Sequence, residues 1–163
     1  MPTSIDEQIT VSATSPQLLD ETVEEVFSMM LGATVSACNA AVEPTNAPVT
    51  LTSVIGLAGN LSGAFTLVMD EAAAKRVAST MLGIEVTEVE GDACDAVGEI
   101  TNILAGTWKS KIPAFHAGCL LSVPTVVKGT QYDIHRRSTN FHIARSFMFD
   151  GSLLTGQIFG EQS

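Results

Sequence analysis

Three polar residues, Asp95, Glu99 and Asn102, are spaced so that a helix would place them on one face. Each helical residue advances by about 100°, so the three side chains lie within about 60° of one another. A carboxamide donates and accepts hydrogen bonds and does not titrate, so it can hold a water molecule without taking its proton. Carboxylates beside it can bind a basic side chain. This row, called the polar row below, is the candidate functional site.

The helix that carries the polar row is predicted from about Asp92 to Ile112. Gly91 and Asp92 offer a break and an N-cap, and Pro113 is expected to end the helix. The apolar residues of this segment fall on the opposite face, so we expect them to be buried. They are Ala93, Val97, Ile100, Leu104 and Trp108.

Two glycines, Gly98 and Gly106, flank the polar row. Glycine inside a helix costs about 1 kcal/mol relative to alanine, and a purely solvated face would favour Ala, Lys or Gln. Small residues at these positions leave room for another backbone to approach. We therefore expect Asp95, Gly98 and Gly106 to contact a partner, although an ordinary solvated face is the alternative for the whole row.

An internal repeat with an offset of 74 residues relates two segments of the chain. Residues 21–32 align without gaps on residues 95–106, matching two acidic positions, the apolar positions and the last glycine. Glu25 aligns with Glu99, but Ser28 stands where the second copy has its amide. The serine side chain is shorter than that of asparagine and has no carboxamide, so only the second copy carries both the glutamate and the amide.

The other elements follow from hydrophobic period and turn residues. Helices are predicted from 17 to 31, ending at Gly32, and from 71 to 82, with Asp70 as N-cap. Strands are predicted at 49–57, 61–69, 118–127, 131–137, 140–149 and 153–159. This order favours an α+β fold with a mostly antiparallel sheet, long helices packed on one face and a pseudo-twofold internal repeat.

Composition excludes several classes of function. The chain has 163 residues and a net charge of −10, which disfavours binding to nucleic acid or anionic membranes. Its first residues have no basic start or long apolar run, so we expect a cytoplasmic protein. Apolar residues make up 45% of the chain and charged residues only 16%. We therefore expect some exposed apolar surface that a second subunit would help to cover.

Cysteine and histidine are not expected to form a site. Their spacing gives neither a zinc motif nor a disulfide framework, and a pair of histidines across a hairpin would lack a third ligand. These residues are Cys38, Cys94, Cys119, His116, His135 and His142. We expect no metal or other cofactor in this chain.

The polar row resembles the signature of the CheC/CheX/FliY family of chemotaxis phosphatases. That signature is an acid or Ser, then three residues, Glu, two residues, Asn, and a proline about 22 positions later. Asp95, Glu99 and Asn102 match it, and Pro124 lies 22 positions beyond the amide. With the full signature on one helix, the chain is similar to the CheX type, and the first copy departs from the signature at Ser28.

The resemblance implies a single CheX-like phosphatase domain over residues 1–163, with residues 1–16 a loose segment. Its activity would be hydrolysis of the aspartyl phosphate on a CheY-type receiver domain. By analogy, Asn102 would hold the attacking water, Glu99 would pair with a receiver lysine, and Asp95 would lie at the edge of the contact. The Mg²⁺ would belong to the receiver, and the protein would be a homodimer.

Two other functions fit the same residues. A chemotaxis or flagellar-switch adaptor would bind a receiver without hydrolysing anything, and it would have no need of the amide at Asn102. A structural dimeric domain would carry the polar row incidentally, with its residues covered by the second subunit or replaceable without effect.

Overall fold

The computed structural model of this chain describes residues 15–38, 49–130 and 139–163. The helices of this part are α1 (Pro16–Leu31), α2 (Glu71–Leu82), α3 (Gly91–Ser110) and α4 (Pro113–His116). The strands are β1 (Ser36–Cys38), β2 (Thr50–Gly59), β3 (Leu61–Asp70), β4 (Cys119–Leu121), β5 (Thr125–Gly129), β6 (Phe141–Phe149) and β7 (Ser152–Gln162). The fold is α+β, as predicted.

The strands form one sheet in which every described pairing is antiparallel. The strand order is β1-β6-β7-β3-β2, and both β4 and β5 pair with the outer side of β2. The first half contributes α1 and then β1, β2 and β3, the second half contributes α3 and α4 and then β4 to β7, and α2 connects the two halves. The last strands of the two halves, β3 and β7, meet in the middle of the sheet. This is the order that a pseudo-twofold repeat predicts.

Turn and cap residues act largely where the sequence predicts them. Gly32 ends α1 in the left-handed conformation, and the side chain of Asp70 caps α2 by accepting a hydrogen bond from the Ala73 amide. Asp150 and Gly151 both have positive φ between β6 and β7, as a two-residue hairpin of type I′ requires.

The predicted N-cap of α3 is wrong. The helix begins at Gly91 with Glu90 as N-cap, so Asp92 lies within the first turn, and the helix ends at Ser110 instead of Ile112. Pro113 begins the one-turn helix α4, a position that suits proline because the first helical N–H has no partner in any case. Neither α4 nor the short edge strand β1 was predicted.

The predicted strand 118–127 is interrupted. Leu121 faces Leu57 and Thr125 faces Val54, so residues 122–124 stand opposite only two residues of β2. The extra residue makes this a β-bulge, and Pro124 within it cannot donate a ladder hydrogen bond. The strand predicted at 131–137 lies outside the described residues, as do residues 1–14 of the segment expected to be loose.

The predicted core face of α3 is confirmed. Its five apolar residues are buried: Ala93, Val97, Ile100, Leu104 and Trp108. The Trp108 ring lies in an aromatic cluster with Phe65 of β3, Phe115 of α4 and Phe141 of β6, at centroid distances of 5.8–6.5 Å. The polar row therefore stands on a helix whose other side is fixed in the core.

Candidate functional site

The polar row lies on the outer face of α3. Asp95 and Glu99 are exposed, while Asn102 is half-buried. Because the opposite side of the helix is anchored in the core, these side chains leave a rigid element rather than a loop. Such a support suits a site that must hold a water or a partner at fixed geometry.

The Glu99 carboxylate and the Asn102 amide, which belong to the second copy of the repeat, have no partner among the described residues. Neither Glu99 nor Asn102 makes a side-chain hydrogen bond or an ion pair to any residue that the structure describes. In the first copy, by contrast, Glu25 pairs with Lys111 at 2.7 Å between Oε2 and Nζ. The repeat therefore leaves only its second glutamate available to another molecule.

Gly98 is used for packing within the chain. It is buried, and a Cβ at this position would lie 3.2 Å from Cγ and 3.4 Å from Cβ of Pro124. The room predicted for a partner's backbone is thus filled by the chain's own bulge. Gly106 is half-buried, with Leu121 Cδ1 4.0 Å from where its Cβ would lie.

The bulge and its flanking residue Leu121 pack on α3 one turn before and one turn after Asn102. Gly98, Asn102 and Gly106 lie one above the other at i, i+4 and i+8 on the helix. Pro124 contacts the first of these positions and Leu121 lies at the last, so residues 122–123 lie between these two contacts. The sequence signal for this packing is the proline of the family signature.

A tether holds the start of α3. The Lys128 ammonium on β5 donates a hydrogen bond of 2.8 Å to the Val89 carbonyl, just before the helix begins.

The segment around the start of α3 is strongly acidic, because residues 85–99 include six Asp or Glu and no Lys or Arg. Such a surface attracts a partner with basic side chains.

Among the described residues, the cysteines and histidines form no cluster with the polar row; Cys94 adjoins Asp95 on α3 and is half-buried. Burial raises the pKa of the Cys119 thiol, whose Sγ lies 3.8 Å from the Leu61 carbonyl oxygen, so this cysteine is unsuited to nucleophilic attack. His116 and His142 are exposed on α4 and β6, and His135 lies outside the described residues.

The described residues offer neither a metal-ligand cluster nor a membrane-spanning helix. Among them, no three potential ligands of His, Cys, Asp or Glu type lie together as a metal site would require. No helix of this part has the length and apolar character needed to cross a membrane.

Comparison with known proteins places the chain in a family. The model of the family described as chemotaxis phosphatase CheX matches residues 51–146, more than half of the chain. The CheY-P phosphatase CheX of Thermotoga maritima is 31% identical over 88 residues, which are 53% of this chain and 57% of that protein.

Solved structures agree in fold. CheX from Vibrio vulnificus superposes with a TM-score of 0.74 at 21% identity, covering 88% of this chain and 93% of the other. CheX from Borrelia burgdorferi, solved with CheY, BeF3 and Mg, has a TM-score of 0.74 at 18% identity, covering 90% and 97%. These neighbours show the same fold, and the family model covers the polar row and Pro124. The chain belongs to the CheX family of chemotaxis phosphatases.

Proposed function

We propose that this chain is a phosphatase that hydrolyses the aspartyl phosphate of a CheY-type receiver domain. Support comes from the family, from the name of the Thermotoga relative and from the Borrelia CheX–CheY complex. The observation that carries the proposal is the free amide and carboxylate of the second copy. The equivalent glutamate of the first copy is held by Lys111, and the equivalent of Asn102 is a serine.

Asn102 is assigned to water positioning. In the proposed step the water oxygen attacks phosphorus, and the bond from phosphorus to the receiver's aspartate oxygen breaks with its electron pair. The products are inorganic phosphate and a free carboxylate, and the water's proton passes to phosphate or solvent. Such reactions need little covalent help, so aligning the water in line with the leaving oxygen is the main contribution.

Glu99 and Asp95 are assigned to docking. Glu99 would pair with a lysine of the receiver, and Asp95 would extend the contact at its edge. An exposed ion pair contributes only about 0–1 kcal/mol, so these residues set register and specificity more than affinity. The Mg²⁺ that neutralises the phosphoryl group would be held by the receiver, and this chain would work in the cytoplasm as a homodimer.

The decisive experiment is phosphate release from a purified CheY-type receiver phosphorylated with a small-molecule donor. We expect the wild-type protein to accelerate release and Asn102→Ala to lose at least about a hundredfold in kcat, the range for one transition-state hydrogen-bonding group. Ser28→Ala is the matched control, because it truncates the equivalent position of the first copy and should leave the rate unchanged.

Other outcomes separate the alternatives. Binding without acceleration, across several receivers, would replace the phosphatase by an adaptor. An Asn102→Ala protein as active as wild type would remove the amide from the mechanism. Absence of both binding and acceleration would restrict the family likeness to the fold.

A further inference from the structure

The β-bulge at residues 122–124 is held by hydrogen bonds to β2 and by packing on α3. The Ser122 amide donates to the Gly56 carbonyl at 2.9 Å, and the Gly56 amide donates to Ser122 Oγ at 2.8 Å. Ser122 Oγ also donates to the carbonyl of Val123, and Pro124 packs on Gly98. Residues on both sides of Val123 are therefore held by β2 and by α3.

Val123 itself projects into solvent. It is 83% exposed, the highest value among the exposed large apolar residues of the described chain. Bulges commonly redirect a side chain near a functional site, and valine has few rotamers to lose on binding. A stiff apolar side chain on a fixed backbone is therefore preorganised for contact.

The position of Val123 ties it to the polar row. The chain runs from Leu121, near Gly106, through the bulge to Pro124, which packs on Gly98. Val123 therefore lies between two contacts with α3 that stand one turn on either side of Asn102. A protein interface of ordinary size, about 800 Å² per partner, that is centred on the amide would also cover the bulge. The surface proposed for docking thus continues from Glu99 and Asn102 onto the bulge.

We propose that Val123 is a specificity-determining contact for the receiver, packing on an apolar patch next to its aspartyl phosphate. This apolar contact complements the charged contact of Glu99. This inference rests on the proposed function, since it names a further contact of the same site.

The test compares Val123→Ser and Val123→Thr with Met29→Ser. Threonine keeps the branched shape but adds a hydroxyl, and Met29, 66% exposed, is an exposed apolar residue on α1, a different helix from the one that carries the polar row. Affinity is measured for a CheY-type receiver loaded with BeF3 and Mg²⁺, together with KM and kcat for phosphate release. Far-UV circular dichroism and thermal melting verify that each variant folds.

We expect Val123→Ser to weaken the receiver Kd and raise KM about tenfold, as the loss of one buried valine predicts, with kcat changed less than about twofold. Val123→Thr should lie between, Val123→Ile should retain full affinity, and Met29→Ser should match wild type.

Several results would overturn the assignment. If Val123→Ser binds and turns over like Met29→Ser while the wild type is active, the contact is refuted and the proposed function stands. A fall in kcat at constant KM would also refute a docking role. If the wild type binds but does not hydrolyse, the affinity comparison alone decides; if it does neither, both proposals fail.

Discussion

Two glutamates at equivalent positions of the repeat have different surroundings, and this difference predicts different roles. Glu99→Gln is expected to weaken receiver binding about three- to fivefold, because it removes the charge that would meet a receiver lysine in an exposed ion pair. Glu25→Gln breaks only the ion pair with Lys111 and should change binding less than about twofold. Titration calorimetry at low and high ionic strength measures both.

The ionic-strength dependence of binding is the control for the Glu99→Gln prediction. The penalty for Glu99→Gln should shrink as ionic strength rises, since screening weakens the pair in the wild-type complex. A penalty that is independent of salt, or equal penalties for Glu25 and Glu99, would contradict the assigned charge contact.

The polar row could be predicted at the residue scale because helical geometry alone sets the angles between Asp95, Glu99 and Asn102. The role of Gly98 could not be predicted from the sequence. Its neighbour Pro124 belongs to the bulge, and only the fold places the proline Cγ 3.2 Å from where a Cβ on Gly98 would lie. The sequence therefore indicates that a small residue is needed there, without indicating what fills the space.

Capping distinguishes two aspartates at the scale of elements. Asp70 Oδ1 accepts a hydrogen bond of 2.8 Å from the Ala73 amide at the start of α2, whereas Asp92 lies past the N-cap of α3. Asp70→Ala should lower the free energy of unfolding by about 1 kcal/mol through loss of the cap. Asp92→Ala should lower it by only about 0.3 kcal/mol, through the helix dipole. Urea unfolding measures both changes, and equal losses would refute the distinction.

Element types were easier to predict than their interruptions. Apolar period and turn residues identify α1, α2, α3 and the long strands, because those signals are local. The bulge at residues 122–124 depends on the register of the neighbouring strand β2, which no local pattern contains. A sequence-based strand from 118 to 127 therefore misses the irregularity that lies beside the candidate site.

At the scale of the molecule, the strands of the two halves interleave. β1 pairs with β6, and β4 and β5 pair with β2, so the outer strands of each half complete the sheet of the other. The sequence predicts the layers and the repeat but leaves this exchange open, because pairing between distant strands is decided by tertiary packing. Asp20 of α1 adds a further link between the halves, through a bidentate ion pair with Arg145 of β6 at 2.7 and 2.8 Å.

Interleaving predicts that the two halves unfold together. Trp108 is the chain's one tryptophan, and its ring contacts Phe65 from the first half and Phe141 from the second. Its fluorescence and the far-UV circular dichroism should therefore give the same urea midpoint. Asp20→Ala should lower the free energy of unfolding by about 1.5–3 kcal/mol, because it leaves the partly buried Arg145 guanidinium unpaired. The urea midpoints of the two signals should fall by the same amount. Midpoints that separate, in the wild type or in this variant, would mean that one half can melt while the other persists, and the exchanged strands would then not couple the two copies.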